Sequence, residues 1–232
     1  MLKDTIKYCL NELGYTISKK NNFYNLLLEE KINLLIDVGA HKGEYALKAR
    51  KSGYKNQIIS FEPQTKAFTV LKERSKKDKL WIIHPRCALG NRNGHTKINI
   101  INETQCSSLL NPNKNLYKLD ENLKLQGNED CNVFTIDFLF NKFYKVKKKT
   151  YLKIDTQGYE RFVLMGCKTI LKKIDFIELE LSINPLYHGE YDYIYFIKLM
   201  KRHNFKLFDI EPFARDYNGK LIQLNAIFSK VV

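Results

Sequence analysis

No stretch of apolar residues in this chain approaches the ~18 needed to cross a bilayer as a helix, so a membrane-spanning segment is not expected. No G-x-x-x-x-G-K-[ST] run occurs, which removes the P-loop class of nucleotide sites. The start, Met1-Leu2-Lys3-Asp4-Thr5-Ile6, carries charge but has no apolar h-region and no small-residue cleavage site. No secretory leader is therefore expected there. Cysteine is sparse: Cys9, Cys87, Cys106, Cys131 and Cys167 are an odd, scattered set of five. They form no C-x-x-C pair and no zinc-ligand spacing, so free thiols in a reducing cytoplasm are the economical reading and no zinc centre is expected. Internal repeats and domain linkers are missing as well.

What is present is an excess of basic residues. The 232-residue chain has a net charge of +14 and is 44% apolar, an ordinary apolar share for a soluble domain with one sizeable core. A basic surface suits nucleic acid, an anionic membrane or an acidic glycan. The lysines, however, are spread along the chain beside Asn, Ile and Tyr, a pattern that genome bias also produces. The densest run, from Lys142 to Lys149, directly precedes a predicted strand and reads as a solvated loop more than as a partner surface.

The most informative stretch is Leu34-Leu35-Ile36-Asp37-Val38-Gly39-Ala40-His41-Lys42-Gly43. A buried-type strand ends in an acid and a glycine-punctuated loop. The next apolar run, Ile58-Ile59-Ser60-Phe61, ends in Glu62. This is how an α/β protein builds a nucleoside pocket: a strand, a tight turn, a helix, then a second strand that brings a carboxylate to the ribose hydroxyls. A dinucleotide site wants G-x-G-x-x-G, whose middle glycine lets the backbone approach a pyrophosphate. His41 occupies that position, so an adenosine without phosphates fits better, and S-adenosylmethionine is the common one.

Residues 1 to about 31 read as helical, with stripes at Ile6, Leu10, Leu13 and Tyr15 and at Phe23, Leu26, Leu27 and Leu28, and a turn near 14–22. Strands are expected at 33–38, 57–61, 80–84, 96–101, 133–136, 151–154, 176–181, 205–210 and 221–229, with Gly219 in the last turn. Helices are expected at 42–52, from Pro63 to about 76, at 136–143, 161–171 and 191–202. The Asn-rich segment 102–130 has no assignable pattern, and a loop that long is often functional. Alternating strands and helices imply a doubly wound, Rossmann-like α/β fold. The expectation is a seven-stranded, mostly parallel sheet with helices on both faces and one antiparallel strand inserted at the edge. Residues 1–32 would form a helical segment on a domain spanning 33–232.

Four segments carry a resemblance to a known family: Ile36 to Gly43, Phe61-Glu62-Pro63, Ala88-Leu89-Gly90, and Leu152-Lys153-Ile154-Asp155-Thr156-Gln157-Gly158-Tyr159-Glu160. The chain resembles the FkbM family of class I S-adenosylmethionine-dependent methyltransferases from about residue 33 to 229. His41 and Tyr45 depart from it, since asparagine and a small hydroxyl residue are usual there. The resemblance implies methylation of a hydroxyl, often on a sugar or a secondary metabolite, with a small-molecule or glycan acceptor.

The expected cofactor contacts are Asp37, Gly39, Ala40, His41, Gly43, Glu62, Pro63, Ala88, Leu89, Ser108, Asp155 and Gln157. Glu62 offers two acceptor oxygens to a ribose diol, against the plainer role of a helix-start acid. Asp155 ends an apolar strand on the ligand-binding edge of the sheet and is the best chemical candidate, to take a proton from an attacking hydroxyl, to hold the methionine amine or to bind a metal. His188 is a second candidate base. His84 reads as structural, and Glu160 equally as a helix-start acid or a substrate ligand. Glu178 and Glu180 share a strand face, and Ser107 and Ser108 are candidates to close over the cleft. Two other functions compete. One is an RNA methyltransferase using the basic surface, which lacks support from any Asn-Pro-Pro-Tyr or Asp-Pro-Pro-Tyr motif. The other is a non-catalytic nucleoside-binding domain, which would not need Asp155.

Overall fold

The computed structural model describes residues 5, 8, 10, 12, 13, 23–216 and 218–231. Ile6, Tyr15 and the turn expected at 14–22 lie outside the described residues. The first continuous element is α1 (Phe23–Glu29). Its Leu26 and Leu27 are buried with Ala46 and Ala49 of α2 (Glu44–Lys51).

Between these helices lies β1 (Leu34–Val38), buried at all five positions. Such a run is what a strand covered on both faces requires. β2 (Gln57–Phe61) and β7 (Thr150–Ile154) flank it in parallel. β3 (Trp81–Ile83) and β8 (Phe176–Ser182) extend the two wings. The chain closes with β9 (Phe205–Arg215) and β10 (Leu221–Lys230). The seven-stranded order is β3-β2-β1-β7-β8-β10-β9. β10 is antiparallel to both neighbours and slots between β8 and the edge strand β9. The wings diverge at the β1/β7 junction, the switch point where doubly wound sheets open a crevice at their carboxyl edge.

Each face has its own core. Leu35, Ile58, Tyr151 and Phe176 meet α1 and α2. Ile36, Ile59, Leu152 and Ile177 meet α5 (Ile136–Lys142), α6 (Glu160–Met165) and α7 (Tyr193–Arg202). Strand residues alternate between the faces, and each fully buried aliphatic side chain contributes about 1.5–3 kcal/mol.

The strand expected at 96–101 is β5 (Gly94–Ile101), and that at 133–136 is the end of β6 (Leu125–Phe134). With β4 (Cys87–Leu89) they form a separate three-stranded sheet in the order β4-β6-β5. The unassigned segment holds a 3-10 turn at Thr104–Cys106, the one-turn helix α4 (Lys114–Tyr117) and the first half of β6. The helix expected from Pro63 begins two residues later, as α3 (Thr65–Ser75). The Pro63 carbonyl instead accepts Arg86 Nη1 at 2.7 Å.

The helix expected over 161–171 is broken. α6 stops at Met165 and a 3-10 turn follows at Ile170–Lys173. Asp137 receives the amide hydrogens of Thr169 and Ile170, each at 2.9 Å, which starts that second turn. Gly166, at the break, lies so close to β4 that a Cβ there would stand 2.0 Å from the Gly90 carbonyl oxygen. Gly166→Ala is therefore expected to lower unfolding stability by about 1–3 kcal/mol, as overpacking does. Urea denaturation measures this, and an unchanged midpoint would contradict the close approach.

Candidate functional site

The site begins as two rows of side chains on one face of the sheet. Ser60, Asp37, Lys153 and Glu178 are register partners on β2, β1, β7 and β8. All four are buried. Lys153 Nζ lies 3.4 Å from Asp37 Oδ1 and 3.2 Å from Asp155 Oδ2, and it donates to the Gly39 carbonyl at 3.2 Å. Ser60 donates to Asp37 Oδ2 at 3.1 Å and receives the Trp81 indole N–H at 2.9 Å. Tyr151 donates to Glu178 Oε2 at 2.6 Å, and the Tyr45 hydroxyl donates to the same oxygen.

Burial alone would pull the Lys153 ammonium down, but Asp155, Asp37 and Glu178 together hold it above its ordinary value. Burial pushes Asp37 up, against the pull of Lys153 and Ser60. It pushes Glu178 up too, against the two tyrosine hydroxyls and Lys153.

Two residues further along, the strands reach the carboxyl edge and the second row. Gly39 has φ +74°, and a Cβ there would sit 1.7 Å from the Asp155 carbonyl oxygen. The loop after β1 thus rests directly on the end of β7, and only glycine allows both features. His41, at φ +49°, donates its backbone N–H to Glu62 Oε2 at 2.7 Å, while Gln64 donates its own to Oε1 at 2.8 Å. Burial pushes Glu62 up to about 7 against these two donors. The His41 ring is 2.8 Å from Thr104 Oγ1, and burial lowers its pKa against the pull of Glu44, 3.4 Å away.

At the other end, Gln157 Nε2 donates to both Asp155 Oδ1, at 3.0 Å, and Glu180 Oε1, at 2.7 Å. Glu180 also receives Gln223 Nε2 at 2.9 Å. Burial first, and the nearby Asp155 and Glu160 next, push Glu180 well up. Glu160 accepts the Thr156 N–H and hydroxyl at the start of α6 and is pushed up to about 8 by burial. That placement gives it the helix-start role.

These rows floor a cleft of about 1140 Å³. Among the expected residues, Gly39, Ala40, His41, Glu62, Pro63, Ala88, Leu89, Ser108, Asp155 and Gln157 line it. Asp37 lies beneath the floor, where its buried Oδ1 faces the Lys153 ammonium at 3.4 Å. Gly43 faces the Trp81 ring at the start of α2 rather than the cleft. Ser108 donates to the Gln157 carbonyl at 2.7 Å and so ties the long loop to the turn after β7.

His188 is not brought to the cleft. It is exposed, because the Glu190 carboxylate gathers the amides of Leu186 and Tyr187 and turns Tyr187 inward instead. The Tyr187 hydroxyl donates to the Cys106 carbonyl at 2.7 Å. His84 sits away from the chemistry, 2.8 Å from the Tyr144 hydroxyl in an aromatic cluster. Sequence reasoning gave no role to Lys153, although a lysine at the register position of Asp37 inside an apolar run was a usable signal. It also missed Tyr45 as a partner of Glu178, and Gln223, Asn225, Glu211 and Phe213, which β9 and β10 bring to the far end of the cleft. No local pattern marks those four.

A glycine loop, a carboxylate held by two amides and an excess of acid fit a cationic adenosyl ligand. Lys153 supplies the positive charge that offsets the burial of Asp37 and Asp155 and lies beside Glu178 in the same register row. Lys153→Met is expected to cost about 3–5 kcal/mol, as removing one partner of a buried pair does. Chemical denaturation checks this, and a loss below 1 kcal/mol would contradict the pairing.

The family model described as the methyltransferase FkbM domain matches residues 37–207. No curated protein matches the chain by sequence. Among solved structures, TehB from Haemophilus influenzae superposes with TM-score 0.51 at 9% identity, covering 97% of this chain and 66% of that one. A precorrin-6y C5,15-methyltransferase from Geobacter metallireducens gives 0.47 at 8% identity, with 94% of each chain covered. An rRNA methylase from Streptococcus thermophilus gives 0.49 at 8% identity, covering 94% of this chain and 100% of that one. The likeness to TehB is one of fold.

Proposed function

The chain belongs to the FkbM methyltransferase family, and from that premise we propose that it carries a methyl group from S-adenosylmethionine to a hydroxyl oxygen, on a sugar of a glycan or on a comparable polyhydroxylated metabolite. The donor supplies a methyl carbon already activated by its sulfonium: the C–S bond breaks as the C–O bond forms, and the hydroxyl proton must leave. The chain's own task is to hold both partners in line and to receive that proton.

The observation that carries the reading is Glu62. Each of its oxygens is fixed by one backbone N–H and keeps a lone pair, the arrangement that two neighbouring ribose hydroxyls need. In this reading Gly39 and Ala40 give the ligand close backbone approach, Pro63, Ala88 and Leu89 flank the adenine, and Ser108 closes the loop over it. Asp37 supports the floor from below. Asp155, held between Lys153 and Gln157, receives the acceptor proton.

Two features favour a neutral polyol over a nucleic acid. The floor under the transfer point is rich in carboxyl groups, which repel a phosphate backbone. Beyond Asp155 the cleft is lined by Gln157, Glu180, Gln223 and Asn225, and amide and carboxyl groups pair well with hydroxyls.

Two measurements test this. Asp155→Asn is expected to keep affinity for S-adenosylhomocysteine within about threefold while turnover falls by roughly 10²–10⁴, the usual worth of a positioned base. Turnover close to wild type would remove Asp155 from the transfer. Because Glu62 is pushed to about 7, its ionised, diol-accepting form is scarce at pH 6 and dominant at pH 8. Calorimetry should show S-adenosylhomocysteine binding tighten over that interval, and Glu62→Gln should weaken binding and flatten the slope. A flat profile in the wild-type protein would contradict the assignment.

A further inference from the structure

The cleft is acidic although the chain is strongly basic, so much of the positive charge lies elsewhere. One concentration of it sits across the sheet from the cleft, in a groove of about 500 Å³ between α6, the following 3-10 turn and α7. Four basic side chains surround this groove: Arg161, Lys168, Lys172 and His203. Among the described residues, no acidic side chain lines it. Its floor is apolar, built by Leu164, Leu171 and Leu199, and Met165 stands at its margin 41% exposed.

Basic side chains above an apolar trough match an anion that carries hydrocarbon. A free phosphate would leave the leucine floor uncovered. A single-stranded nucleic acid would need open aromatic faces for its bases, but the Arg161 guanidinium already lies 4.5 Å from the Tyr191 ring centre and 5.9 Å from that of Tyr195. We propose that this groove docks the protein on an anionic lipid bilayer, with a phospholipid phosphate held among Arg161, Lys168 and Lys172 and its glycerol–acyl portion on the leucine floor. Interfacial binding of this kind combines buried apolar area with attraction to acidic headgroups. Because the groove lies on the opposite face of the sheet from Glu178 and Lys153, docking leaves the cleft open. No helix among the described residues is long and apolar enough to cross a membrane, so the contact is peripheral.

The test is co-sedimentation of the full chain with vesicles of phosphatidylglycerol and phosphatidylcholine, against phosphatidylcholine alone. Wild-type protein should partition onto the anionic vesicles only, and less so as salt rises. Removing a basic residue near such a surface weakens binding by about fivefold. The exposed pair Lys168→Gln/Lys172→Gln should therefore lose at least tenfold, and Lys168→Glu/Lys172→Glu more. Lys145→Glu/Lys147→Glu, in the other basic cluster, should stay within twofold. Methyl transfer to a soluble acceptor should be unchanged in all three, which separates this proposal from the assignment of the cleft. No partition of wild-type protein, equal loss in the Lys145/Lys147 variant, displacement by millimolar inorganic phosphate, or retention on an RNA oligonucleotide in place of vesicles would each overturn the proposal.

Discussion

One ammonium group sets the terms for the middle of this protein. Lys153 Nζ lies between the carboxyls of Asp37 and Asp155, in a register row that continues to Glu178. Without it, three carboxyl groups would share a small, largely dry volume, and folding would force their protonation. With it, β1 can carry Asp37 beside β7, which leads directly into Asp155, and both strands can end at the same level. The Gly39 carbonyl also accepts from this ammonium, so the charge that neutralises the floor also fixes the loop above it.

The cleft follows from that arrangement. The loop after β1 is pressed onto the end of β7 at Gly39, and its His41 amide turns to meet Glu62 at the end of β2, where the Gln64 amide takes the other oxygen. A carboxylate so held has no freedom to seek other partners, and its remaining lone pairs face the cavity. At the other end, Gln157 bridges Asp155 and Glu180, and the amide groups of β10 continue the lining. The cleft is thus graded, from a Glu62 end ordered by backbone amides to a far end ordered by side-chain amides and acids.

Much of this was legible in the sequence where burial and periodicity act together. The apolar runs ending at Asp37, Glu62 and Asp155 identified β1, β2 and β7, because a strand buried on both faces leaves little choice of residue. The doubly wound sheet with one antiparallel strand was legible for the same reason. The segment 102–130 was not, because its order rests on distant partners, the β5 pairing of β6 and asparagine side chains among them, rather than on a local hydrophobic period. Asn113 and Asn115 both donate to the Pro185 carbonyl, and Asn99 donates to that of Leu110. Such bonds join residues far apart in sequence and leave no local signature. The break at Gly166 was hidden because the Gly90 carbonyl it packs against follows β4, far away in sequence. His188 drew attention as a titratable loop residue, yet its neighbour Tyr187 is the one that folds inward, a choice made by Glu190.

The central claim is that the Glu62 end of the cleft holds the adenosyl group while Asp155 lies beside the transfer point. A crystal structure with S-adenosylhomocysteine tests it most directly. The account predicts both ribose hydroxyls on the Glu62 carboxylate, the adenine against Ala88 and Leu89, and the sulfur directed toward Asp155. A ligand bound outside this cleft, or one whose ribose faces away from Glu62, would contradict it.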